Sequence, residues 1–116
     1  MRSLLVSAAA LCLLLAAGRA VAHSSYEETG IAGIHAWVKV GRKTCMVDHF
    51  HDGSGTGPTR IMAERAAIRA WAEFTAWEYG SAWGRYAMAA SKKATCSREG
   101  GSSWRCAVEA RPCRPF

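Results

Sequence analysis

Apolar and polar residues alternate along Ile34-His35-Ala36-Trp37-Val38-Lys39-Val40. Ile34, Ala36, Val38 and Val40 fall on one face and His35, Trp37 and Lys39 on the other, a period of two that predicts a strand. Gly41-Arg42 supplies a two-residue turn, and Lys43 to Phe50 forms the returning strand of a hairpin. From Asp52 to Pro58 glycines alternate with polar residues, which predicts a loop. Thr59 is a helix-capping residue. After it, Ile68, Trp71, Thr75, Tyr79, Trp83, Tyr86 and Ala90 recur at steps of three or four, the stripe of a 3.6-period helix. The abundant alanines suit a helix. The phase survives Gly80, so the pattern predicts either one helix from about 60 to 91 or two segments bent at Gly80-Ser81. Ala94 to Glu99 and Ser103 to Arg111 flank Gly100-Gly101-Ser102 as a second hairpin, with Trp104, Cys106, Val108 and Ala110 sharing a face. The expected fold class is α+β: a small antiparallel sheet of two hairpins packed on one long helix, straight or bent, and stapled by disulfides.

The N-terminus changes this picture by setting the compartment. Met1-Arg2 precedes an apolar run from Leu4 to Ala17, then Arg19 and Ala20-Val21-Ala22. A basic start, an apolar stretch and a small-x-small site describe a signal peptide over 1–22, cleaved after Ala22. The run is shorter than the roughly 20 residues of a membrane span, so no transmembrane segment is expected in the mature chain. Residues 23–33 are polar and are expected to form a flexible arm, leaving 34–116 as one domain that is periplasmic or secreted. Cys12 leaves with the signal, and Cys45, Cys96, Cys106 and Cys113 remain. An even number in an exported chain predicts two disulfides, with three pairings open. No C-x-x-C pair suggests a redox centre. A three-residue hairpin loop places Cys96 opposite Cys106 and leaves Cys113 for Cys45, whereas another register turns Cys96 away.

Charge narrows the partners. The net charge is +6, and signal removal lowers it by two. A mildly basic surface suits an anionic partner: envelope polysaccharide, lipid headgroups or a protein. The basic residues are scattered with no run of five, so no nucleic acid is expected.

Candidate chemistry concentrates in Asp48-His49-Phe50-His51-Asp52. On a strand His49 and His51 share a face about 6–7 Å apart, a spacing from which both can ligate one Zn or Cu ion. In the predicted register His35 lies opposite Asp48 and faces away from His49 and His51, though it remains a candidate additional ligand. His23, exposed by cleavage, is another, through its free amine and ring. The stripe Trp71, Tyr79, Trp83, Tyr86 is expected to face the core, with a stacking platform as the alternative, while Trp77 lies off it. Gly53-Ser54-Gly55-Thr56-Gly57 precedes a helix start, where phosphate can sit, but lacks the Gly-Lys-Ser/Thr ending of a nucleotide loop. Glu78, among Trp71, Phe74 and Trp77, is a carboxylate in an apolar setting whose expected partner is an arginine. No serine sits in a Gly-x-Ser-x-Gly elbow.

The run Ala67, Trp71, Tyr79-Gly80, Trp83, Tyr86, Ala90, Cys96, Cys106 and Ala110-Arg111-Pro112-Cys113 resembles a group of small exported alphaproteobacterial proteins of unassigned function. The resemblance spans about 63 to 113 and implies a shared fold and export. It carries over no catalytic residue and leaves 34 to 52 outside. The functional expectation is a binding module for an anionic envelope component or protein, rather than an enzyme. The alternative is a metal-binding protein or metal-dependent enzyme built on the 48–52 cluster.

Overall fold

A computed structural model describes residues 31–115. The expected signal peptide, its cleavage site and His23 lie outside the described residues. The elements run in the order β1 (Trp37–Val40), β2 (Lys43–Met46), β3 (His51–Gly57), α1 (Arg60–Tyr79), β4 (Ala90–Arg98), β5 (Trp104–Arg111) and β6 (Cys113–Pro115). They make two antiparallel three-stranded sheets, β1-β2-β6 and β3-β5-β4. The fold is α+β, with two small sheets on one long helix rather than one.

Both predicted hairpins form. Val40 pairs with Lys43 across Gly41-Arg42. Gly41 adopts φ 61°, the left-handed geometry that such a turn demands. Cys96 pairs with Cys106 across the second hairpin. The disulfides are Cys96–Cys106 and Cys45–Cys113.

The glycine segment is a strand, not a loop. β3 pairs with β5 along its whole length, from His51 opposite Ala110 to Gly57 opposite Trp104. Glycine disfavours strands intrinsically, but here its missing side chain is the point. A Cβ on Gly53 would meet the carbonyl oxygen of Ala67 and lie 2.5 Å from the Trp71 nitrogen. One on Gly55 would lie 2.5 Å from the Ala67 nitrogen, and one on Gly57 2.8 Å from the Ala63 nitrogen. Helix backbone therefore rests directly on strand backbone. The alternate residues Asp52, Ser54 and Thr56 face solvent.

α1 starts as expected, with Thr59 Oγ1 accepting from the Met62 amide. It ends at Tyr79 instead of running on to 91. Gly80 takes φ 100°, a conformation outside the helix that L side chains rarely adopt. Trp83, Tyr86 and Ala90 thus continue the stripe in sequence but not on the helix. Trp83 packs with Ala32, Met46 and Tyr79, and Trp37 flanks this cluster. The larger core gathers Ala63, Ala67, Trp71, Ala89, Cys106, Val108 and Ala110 between α1 and the β3-β5-β4 sheet. Trp71 anchors it, its indole N–H donating to the Ala110 carbonyl at 3.2 Å.

β2 stops at Met46, four residues earlier than predicted, because the chain must leave one sheet and enter the other. Arg111 holds this corner, its guanidinium donating to the Val47 carbonyl at 3.2 Å and the Met46 carbonyl at 3.4 Å.

Gly53→Ala is expected to cost about 3 kcal/mol or more, since neither backbone can give way. Ser54→Ala on the opposite face should stay within about 0.5 kcal/mol; urea denaturation of the two variants measures the difference. The disulfides should also rank by the chain they close. Chain-entropy estimates give about 4.4 kcal/mol for the separation of 68 and about 2.7 kcal/mol for that of 10. Thermal melts of the two paired Cys→Ala variants should show the larger loss for Cys45–Cys113.

Candidate metal centre

β3 begins at His51, α1 ends at Tyr79, and the chain reverses between them. The seven residues of β3 span the same length as roughly fifteen residues of helix, at about 3.3 and 1.5 Å per residue. The last turns of α1 therefore return over the first residue of β3, and Thr75 and Glu78 reach His51.

His51 is 4 % exposed. Its Nδ1 lies 2.9 Å from Thr75 Oγ1. Thr75 donates its own proton to the Trp71 carbonyl at 2.7 Å, so toward His51 it can only accept. Nδ1 consequently carries the hydrogen, and the Nε2 lone pair is left to face Glu78. Glu78 Oε2 stands 2.7 Å from Nε2. Two acceptors this close repel unless a proton lies between them, and a metal ion with bonds of about 2.0–2.1 Å would hold them further apart. Burial lowers the His51 pKa from the ordinary 6.5, and this outweighs the opposing pull of the Glu78 charge. Nε2 is also without a hydrogen bond of good geometry despite the short distance. The charge of Glu78 and its hydrogen bond pull the other way, in favour of a proton on Nε2.

His49 completes the group. Its ring centroid is 5.2 Å from that of His51. The ligand atoms of His49, His51 and Glu78 all lie within 4.8 Å of one another, a group that could hold a metal ion. Tyr79 walls the site, stacked on His51 at 4.8 Å and edge-on to His49 at 5.7 Å. Burial, then the Glu78 charge, push the Tyr79 phenol up to about 12, so it adds no charge at neutral pH. Beside His49 opens a cavity of about 140 Å³ lined by His35, Ala36, Val47, Asp48 and His49.

His49 and His51, paired from the sequence, are thus together in space. His35 does not face away as predicted: its ring lies 4.5 Å from His49. The early end of β2 breaks the register that would have separated them. His35 Nε2 is 3.4 Å from the Tyr79 hydroxyl, which places it beside the group rather than in it. Glu78 has a histidine as its partner rather than an arginine. It was legible as a carboxylate in an apolar setting but not as a partner of His51, because the reversal that brings the two together depends on 51–57 being a strand. Trp71, Tyr79 and Trp83 are fully buried and form core, not a platform, whereas Trp77 is 77 % exposed. The glycines that resembled a phosphate cradle face α1.

No family model, curated protein or solved structure matches the chain.

In the metal-free protein the His51 pKa is lowered in the folded state and near 6.5 in the unfolded state. Below pH 6.5 the unfolded chain binds the extra proton first, so stability present above that value is lost as pH falls toward the folded pKa. Urea midpoints in EDTA should therefore drop between about pH 7.5 and pH 5, and drop less in His51→Gln.

Proposed function

We propose that this chain is an exported metal-binding protein that holds one divalent transition ion through His51 Nε2, His49 and a Glu78 carboxylate oxygen. The observation that carries this reading is the hydrogen-bond arrangement around His51, from which its tautomer follows. Thr75 commits Nδ1 as the donor and aims the Nε2 lone pair at a carboxylate 2.7 Å away. Orienting a ligand histidine through its other ring nitrogen is how protein metal sites are built.

Imidazole and carboxylate donors suit Zn²⁺ and Cu²⁺, whereas Mg²⁺ and Ca²⁺ prefer all-oxygen shells. Bonds of about 2.0–2.1 Å to a tetrahedral ion set neighbouring ligands roughly 3.4 Å apart. To take one ion the group must rearrange: the 2.7 Å between His51 Nε2 and Glu78 Oε2 opens to that edge, and the 4.8 Å limit of the group closes to it. All four cysteines of the domain are consumed in disulfides, so the site depends on nitrogen and oxygen donors. Two His and one Glu leave a fourth position free. When bound there, Zn²⁺ would act as a Lewis acid and activate water.

Export is supported by the signal-like N-terminus, by disulfides that persist in oxidising compartments, and by the resemblance to exported alphaproteobacterial proteins. Among the described residues no helix is long and apolar enough to cross a membrane.

Isothermal titration with ZnCl₂ and native mass spectrometry should find one ion per chain. His51→Ala or Glu78→Gln should weaken binding more than about 100-fold, and Thr75→Val by about 10–100-fold with the fold retained. Absence of stoichiometric Zn²⁺ and Cu²⁺ from the wild type, or affinity unchanged in the His49/His51 double alanine variant, would overturn the reading.

A further inference from the structure

β3 is a terminal strand: among the described residues it pairs with β5 alone, so one row of its backbone N–H and C=O groups points outward. Terminal strands are normally guarded by bulges, lysines or prolines. β4, the other terminal strand of the sheet, is guarded: its register breaks between Ala90 and Lys93, Ser91 adopts φ 51°, and Lys92 and Lys93 stand on it. β3 has no bulge, lysine or proline, and its sequence is His-Asp-Gly-Ser-Gly-Thr-Gly.

A helix flank runs above this edge. Ala63, Ala67, Trp71, Thr75 and Tyr79 form the buried stripe of α1. Ile68 and Ala72, on one side of that stripe, pack toward the core with Cys96 and Trp104. Met62, Ala66, Ala70 and Phe74 form an i, i+4 ladder on the other side, over β3. The contacts agree: a Cβ on Gly57 would lie 3.0 Å from Met62 Cβ, one on Gly55 2.5 Å from Ala66 Cβ, and Phe74 lies 4.9 Å from His51. Met62 is 53 % exposed, Phe74 46 % and Trp77 77 %, with Trp77 stacked on Phe74 at 6.0 Å. Ala66 and Ala70 leave a trough between these large residues.

We propose that the β3 edge and this flank bind an extended peptide segment of a partner protein as an added strand. Backbone groups of the peptide complete the outward row of β3. Every second side chain, opposite Gly53 and Gly55, is apolar and enters the trough. The intervening side chains are hydroxyl-bearing, matching Ser54 and Thr56 across the strand pair. Opposite Asp52 the peptide carries a cation: Asp52 and Glu109 are register neighbours on the open face, with Lys93 3.5 Å from Glu109. A second copy of this chain does not fit. Joining two β3 edges sets the strands about 4.8 Å apart, and the two overlying α1 helices need about 8–10 Å. The inference does not depend on a bound metal, although the pairing strand begins at His51.

The test is an amide NMR titration of the ¹⁵N-labelled protein with acetyl-Val-Thr-Val-Thr-Leu-Lys-amide. Shift changes should map to residues 51–57, Ala66, Ala70 and Phe74, and exchange of the outward β3 amides should slow. Trp77→Ser and Asp52→Asn should each weaken binding several-fold. A peptide N-methylated at alternate residues on its pairing edge, with the same side chains, should fail to bind. Absence of shift changes, changes elsewhere, or equal binding of the N-methylated peptide would each overturn the proposal. So would outward β3 amides already protected in the free protein: by a second copy if protection grows with concentration, by the chain's own residues if it does not.

Discussion

Backbone contact between β3 and α1 is the constraint on which the rest of the molecule depends. Gly53, Gly55 and Gly57 remove the layer of side chains that normally separates a helix from a sheet. Each glycine costs roughly 0.5–1 kcal/mol in a strand relative to alanine. The close approach offsets this by letting Trp71 sink to full burial against Val108 and Ala110, where a large side chain contributes about 1.5–3 kcal/mol. The same approach sets the height of α1 over β3, and so brings Thr75 and Glu78 within bonding distance of His51. Were α1 lifted to an ordinary helix–sheet spacing, the fold class would survive and the histidine site would not.

The site also depends on the junction between the two sheets. β2 delivers the chain to the 47–50 corner, and β3 carries it away. Three ties hold that corner: Cys45–Cys113, the Arg111 bonds to the Met46 and Val47 carbonyls, and the Met46 amide donating to the Pro112 carbonyl at 3.0 Å. His49 sits in the corner, His35 arrives just ahead of β1, and His51 and Glu78 come from β3 and α1. The disulfide nearest the site therefore does more than restrict the unfolded chain, since it anchors the turn that presents His49, one of the three side chains of the candidate group.

Elements encoded by local signals were legible in the sequence. Gly41-Arg42, the Thr59 cap, the Trp71-Thr75-Tyr79 part of the helical stripe and the Cys96–Cys106 register all depend on residues close in the chain, and all formed. The 52–58 segment was not legible, because its strand state comes from β5 and α1, which are distant in sequence and override glycine's intrinsic preference. The end of α1 was obscured for a related reason. Trp83 and Tyr86 keep helical spacing, yet they enter different clusters beyond a Gly80 whose φ periodicity cannot reveal. His49 and His51 were visible as neighbours on one strand. Glu78 as their partner, and His35 beside His49, followed only once the reversal at 58–59 and the corner at 47–50 were in place.

Three departures from ordinary stabilising practice coincide on β3. Three of its seven residues are glycine, its first residue is a buried histidine set against a carboxylate, and its outer edge carries no bulge, lysine or proline. A buried polar pair of this kind is commonly no more stabilising than an apolar replacement. Elsewhere among the described residues the helix is capped, the inner sheet faces are apolar, the opposite edge is bulged and lysine-bearing, and the cysteines are paired. Proteins tolerate broken rules chiefly where function requires them. All three fall on one seven-residue strand, and both proposals meet on it: the metal group at its beginning and the peptide edge along its length.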